Sequence, residues 1–172
     1  MDDAADPCVD SRKRVHHVAA HSGVVSRGVS RTLTVIELDT VNARVAAELA
    51  AIHEESATAA YAHISDGPFP RGETRTRWAT YTGRVALAQE GGRTIGFVAW
   101  HSDELDALYV RPEAAGTGVG TTLINTATNT THLWVLEANA HARRFYEVRR
   151  WRASGAARRV WEGANEVEYR RG

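Results

Sequence analysis

Short β-branched runs alternate along this chain with stretches in which apolar residues recur every three or four positions. "TLTVIEL" (32–38) has the composition and length of a strand. Asp39 or Thr40 is then placed to cap a helix, in which Val41, Val45, Ala46, Leu49, Ile52 and His53 fall at helical spacing. That pattern runs on, with one break near Ser56, through "ATAAYAHI". "DGPFPRG" (66–72) holds two prolines and two glycines and reads as a loop. "ETRTRWATYT" reads as a short helix with Trp78 turned inward.

Three strands follow in close succession. "RVALAQ" (84–89) leads through Glu90-Gly91-Gly92 into "TIGFVAW" (94–100), the pattern of a hairpin. "HSDE" turns the chain into "LDALYV" (105–110). After a glycine-rich stretch, "GTTLINTAT" reads as a helix of weak formers, because Thr and Asn have low helix propensity. "HLWVLEA" (132–138) is a strand, and Asn139 opens the helix "AHARRFYEVRRW". The end of the chain holds one or two strands around Val160 and Val167. Hairpin-linked strands are antiparallel, whereas the strand–helix–strand unit at 105–138 must be parallel, so the sheet is mixed.

Composition narrows the class. With 172 residues, 43% hydrophobic and 24% charged, the chain is of ordinary globular make-up and long enough for one domain. Net charge is zero, which speaks against a nucleic-acid or membrane-surface binder, since both need a positive field. Cys8 is the only cysteine, so nothing points to an oxidising compartment. No apolar run reaches the roughly 18 residues of a membrane span, and "MDDAADPCVD" lacks an apolar leader, so the cytoplasm is the expected location. Residues 1–31 have no sustained period and are expected to form a disordered extension, with 32–172 as a single domain; a natural start near Val25 is a second reading. His16, His17 and His21 lie in that extension without a scaffold to fix a ligand geometry, and no metal is expected.

Candidate chemistry begins at "LYVRPEAAGTGVGTTL" (108–123), where Gly116, Gly118 and Gly120 alternate between a strand and a helix. The first N–H groups of a helix lack internal partners and the helix dipole adds positive potential there, so a strand–glycine–helix junction suits an anion. A tight turn would need one glycine; three alternating ones favour close approach of a ligand to the backbone. The stretch has no lysine for a P-loop, and Thr121 stands where a dinucleotide-binding fingerprint needs its third glycine.

Taken with "LWVLEANAHARRFYEVRRW", this stretch resembles the GCN5-related N-acetyltransferase (GNAT) superfamily. Its acetyl-CoA motif, [QR]-x-x-G-x-[GA], falls on 115–120, and its later motif matches Asn139, Ala142, Phe145, Tyr146, Glu147 and Trp151. The resemblance spans roughly 32–170. It implies an α/β fold: a mixed, largely antiparallel sheet of six to seven strands, with a splayed parallel pair and about four flanking helices. It implies transfer of acetyl from acetyl-CoA, as co-substrate, to a primary amine of a small molecule or peptide in a ternary complex. It implies that Leu108, Tyr109 and Val110 pair with the pantetheine arm, and that Ala115, Gly116, Thr117, Gly118, Val119, Gly120 and Thr121 wrap the pyrophosphate. Asn139 would touch the cofactor while also capping its helix.

Tyr146 lies two helical turns beyond Asn139 and shares its face; within the resemblance its hydroxyl would protonate the leaving thiolate. An amine with a pKa of about 10 must lose a proton before attack. Glu104 is taken as the base, with Asp106, two residues on and hence on the same face, and Glu137 as further candidates. A backbone N–H near Val110 would stabilise the oxyanion. The chain departs from the family at Ala115, usually Gln or Arg, and at Arg150, usually Gly. An alternative from another class follows from Ala115 and the weak helix after the glycines: a degenerate domain that binds acyl-CoA without transfer. The acceptor pocket is expected around 51–70 and 158–168. Association into a homodimer is left open.

Overall fold

The computed structural model describes residues 13–18, 32–61, 69–161 and 164–172. Among these residues eight strands form one sheet: β1 (Lys13–Val18), β2 (Leu33–Leu38), β3 (Arg84–Glu90), β4 (Arg93–His101), β5 (Glu104–Val110), β6 (His132–Leu136), β7 (Trp151–Trp161) and β8 (Ala164–Arg171). Their spatial order is β1-β2-β3-β4-β5-β6-β8-β7, and every neighbouring pair is antiparallel except β5–β6. Among the described residues four α-helices complete the fold: α1 (Ala43–Tyr61), α2 (Arg71–Ala79), α3 (Val119–Thr126) and α4 (Ala140–Glu147).

Seven strands, β2 to β8, correspond to those expected from the pattern. β1 is additional. It pairs antiparallel with β2 and lies within the stretch expected to carry no element, so that expectation is corrected for Lys13–Val18. An added strand satisfies the outer backbone groups of β2, which would otherwise be a bare sheet edge. The other residues of 1–31, including His21, lie outside the described residues, as do 62–68, which cover the end of the expected helical stretch and the start of the expected loop.

Two hydrophobic clusters sandwich the sheet. On one face, α1 and α2 bring Leu49, Ile52 and the fully buried Trp78 against Val85, Leu87 and Phe97. Trp78 meets Phe97 edge-on, with centroids 5.0 Å apart at 88°, the arrangement that ring quadrupoles favour. On the other face, Val119, Leu123 and Ile124 of α3 pack with Val98, Leu133, Trp151 and Tyr169. Covered on both sides, β4 is buried over 94–100.

Local signals explain the boundaries, with some corrections. α1 is unbroken through Ser56. Its cap is Asn42, whose side chain accepts from the Val45 N–H at 3.0 Å. The expected cap Asp39 instead pairs with Arg84 on β3. The β3–β4 turn uses Gly91 and Gly92, both at positive φ (57° and 80°), as a two-residue primed turn requires.

Candidate active site

β5 and β6 begin as a parallel ladder, but only Glu104–His132 and Leu105–Leu133 are paired before the strands part. The divergence coincides with a β-bulge. Leu105 sits opposite Trp100 and Ala107 opposite Ala99, so Asp106 is an extra residue on β5. The bulge reverses which face the later residues take: Leu105 packs in the α3-side cluster together with Leu108 and Val110, whereas Ala107 and Tyr109 join the α1-side cluster. The reversal falls between Asp106 and Ala107, so Glu104 and Asp106, on either side of Leu105, still share the face opposite to it, where Asp106 meets Tyr81.

A cleft of about 720 Å³ opens where the strands part. Leu108, Tyr109 and Val110 line one wall, and Trp134, Val135 and Leu136 of β6 line the other. The Arg111 N–H bonds to the Ile95 carbonyl on β4 at 2.8 Å, so by alternation Leu108 and Val110 turn their backbone groups away from β4, toward the gap. One lone pair of the Val110 carbonyl is already taken, by the Ser56 hydroxyl of α1 at 2.8 Å.

The glycine loop forms the far end of the cleft. Gly116 (φ 76°) and Gly118 (φ 94°) are left-handed, and a Cβ on either would stand in open space. Gly118 is the N-cap of α3 with no side-chain cap, and the first intrahelical bond runs from the Thr122 N–H to the Gly118 carbonyl at 3.0 Å. The N–H groups of Val119, Gly120 and Thr121 thus have no carbonyl one turn back to bond. Gly120 differs from the other two. A Cβ there would come within 3.3 Å of the Phe145 ring, so this glycine lets α4 pack against α3. Ala115, Gly116, Gly118, Gly120 and Thr121 line the cleft. Thr117 turns both its hydroxyl (2.7 Å) and its N–H (3.4 Å) back to the Ala114 carbonyl, and Val119 buries its side chain in the core, leaving Val119 its backbone to offer a ligand.

Asn139 caps α4 as expected, its side-chain oxygen accepting from the Ala142 N–H at 3.0 Å. Its side chain also contacts the Tyr61 phenol, as does Tyr109. Burial pushes the Tyr61 pKa up, and those two contacts partly offset it. Tyr146 is buried, lines the cleft, and packs against Phe145, Trp151 and Tyr169. Burial, then the Tyr61 phenol, hold its pKa well above the ordinary tyrosine value.

The carboxylates separate clearly. Glu104 stands outside the cleft lining, its carboxylate 3.4 Å from His132 Nε2. Glu137 is exposed in the turn after β6. Of these three, Asp106 lines the cleft. It accepts a 2.6 Å hydrogen bond from the Tyr81 hydroxyl, and its backbone carbonyl accepts from Arg77 at 3.0 Å. Burial raises its pKa and nearby Glu104 adds to this, while Tyr81, Arg77 and His101 pull it down.

Sequence reading brought Asp106 only as a second candidate and missed Tyr61, Tyr81, Trp134 and Arg149. Tyr61 and Tyr81 sit at helix ends next to loops, with no period to mark them. Arg149 lay inside the later motif at a position that motif leaves open.

Residues 82–149 match the model of the acetyltransferase (GNAT) domain, and the chain has the GNAT fold. The resemblance carried by the two motif blocks is borne out. YjaB from Escherichia coli, in its apo form, is similar at 21% identity with a TM-score of 0.66, over 80% of this chain and 96% of that one. A PaiA N-acetyltransferase from Thermoplasma acidophilum, solved with coenzyme A, is similar at 17% identity and TM-score 0.58, over 79% and 98%. A GCN5-related N-acetyltransferase from Rhodopseudomonas palustris is 26% identical, with a TM-score of 0.54, over 74% and 90%. No curated protein matches the chain. Among the described residues no helix is long and apolar enough to cross a membrane.

Proposed function

We propose that this protein transfers the acetyl group of acetyl-CoA to the primary amine of a small molecule or peptide. The observation that carries the reading is the coincidence of three features in one cleft: diverging parallel strands, an uncapped glycine-rich helix N-terminus, and a buried tyrosine between them. The cleft fits the donor. Open space stands over Gly116 and Gly118, where a Cβ would otherwise intrude, and unpaired N–H groups of α3 face an anion there. Leu108 and Val110 offer backbone groups to an extended pantetheine arm, with Asn139 beside them. The donor supplies a thioester, an acyl carbon already activated toward an amine.

The chain's own residues would supply proton handling and orientation. Asp106, at the bulge, takes the proton from the incoming ammonium, directly or through a water; burial raises its pKa, which makes its carboxylate a stronger base. It replaces Glu104 in this role because it faces the cleft. Tyr81 fixes the carboxylate's position. Tyr146 holds its proton through the neutral range and can deliver it to the departing sulfur. The N–H of Val110 or Leu108 is placed to receive the charge that develops on the acyl oxygen. The acceptor enters between α1 and β8, near Tyr61, Trp134 and Glu166, which also line the cleft.

The direct test is thiol release from acetyl-CoA across a panel of amines, followed on the wild-type protein. Amine-dependent release of free CoA supports the reading. Acetyl-CoA binding in calorimetry with no release on any amine would leave only a binding domain.

A further inference from the structure

Arg149 occupies the turn after α4, yet its guanidinium belongs to the glycine-loop end of the cleft. It stacks on the Phe145 ring at 3.7 Å from the centroid, and Nη1 donates to the Phe145 carbonyl at 2.7 Å. Nη2 donates to the Thr121 hydroxyl in the first turn of α3. Nε is buried without a hydrogen-bond partner. Among the described residues no carboxylate pairs with this cation. The nearest in sequence, Glu147, accepts instead from the Tyr169 hydroxyl at 2.8 Å.

Two sources of positive potential therefore meet at one place with no protein anion between them. One is the guanidinium, held half-buried by Phe145 and Thr121. The other is the N-terminus of α3 with its unbonded N–H groups. Burying a charge without a counter-ion costs stability, and an unpartnered Nε adds to that. The same loop carries Ala115, which brings no polar side chain to the site. We propose that Arg149 is the cation that binds the diphosphate of acetyl-CoA, reaching the loop from α4 in place of a side chain at position 115. This rests on the acetyl-CoA reading above. An arginine suits the task because its planar fork can keep Thr121 while offering a second N–H edge to a phosphoryl oxygen.

The experiment is calorimetric titration of wild type, Arg149→Met and Arg149→Lys with CoA and with 3′-dephospho-CoA, at two salt concentrations. Met keeps the stem over Phe145 and removes the charge. The expected result is a roughly 10- to 100-fold loss of affinity for both ligands in Arg149→Met, the size of lost charge-assisted hydrogen bonds. The loss should shrink at high salt. Lys, a point charge without the fork, should lose several-fold. Equal CoA affinity in wild type and Arg149→Met overturns the proposal. So does a loss seen with CoA but not with 3′-dephospho-CoA, which would move Arg149 to the 3′-phosphate. If Arg149→Met does not fold, Arg149→Lys decides: unchanged affinity for both ligands overturns the proposal. Failure of the wild type to bind either ligand removes the acetyl-CoA reading itself, a result distinct from all of these.

Discussion

Tyr81 donates a 2.6 Å hydrogen bond to Asp106, the extra residue of the β5 bulge. The contact ties the end of α2 to the point where β5 leaves β6. Removing the carboxylate with Asp106→Asn should lower turnover by roughly 10²-fold or more with little change in acetyl-CoA affinity. Tyr81→Phe offers a finer test. Its hydrogen bond holds the Asp106 pKa down, so its loss should raise that pKa. The acidic limb of the rate profile should then move to higher pH. A limb that stays in place would detach Asp106 from the rate.

Tyr146→Phe should reduce turnover by roughly 10²-fold while acetyl-CoA affinity stays near wild type. The ring keeps its packing on Phe145, Trp151 and Tyr169, so the unfolding midpoint should change little. Unchanged turnover would make Tyr146 a core residue only.

The glycines should divide by mechanism. Gly118→Val puts a β-branched residue at φ 94° and fills the space over the loop, so it should abolish CoA binding and cost about 1–2 kcal/mol of stability. Gly120→Ala should act mainly through the Phe145 ring, 3.3 Å from the new Cβ, and lower the unfolding midpoint. Should Gly120→Ala keep wild-type stability but lose CoA, the packing account of that glycine fails.

That division was not legible in the sequence, where the three glycines look alike. Periodicity reads what is local. It located β5, β6, the α4 cap at Asn139 and the inward Trp78. A bulge adds one residue without disturbing composition, so the reversal of faces at Asp106 leaves no mark in "ELDALYV". The Gly120–Phe145 and Arg149–Thr121 contacts join residues far apart in the chain, and neither residue type announces its partner. β1 was missed for a related reason. Its sequence, "KRVHHV", has no strong alternation, and its strand form depends on β2 beside it.

Acid sensitivity should trace in part to His53. It is buried, stacks on Tyr109 with centroids 4.1 Å apart, and accepts from the Trp78 indole at 3.2 Å. Burial, helped by Arg77, lowers its pKa from 6.5 to about 4. The unfolded chain therefore binds a proton between those pH values that the folded chain refuses. The stabilisation is full above about pH 6.5 and is lost as pH falls toward 4. Between pH 7 and pH 5 the loss should be about 2 kcal/mol. Denaturant unfolding at the two pH values measures it, and His53→Gln, which keeps an acceptor for the indole without a titrating ring, should remove most of that difference. If His53→Gln loses as much stability as wild type over the same interval, other groups govern the acid response. The neutral imidazole would then be only a packing partner of Tyr109 and Trp78.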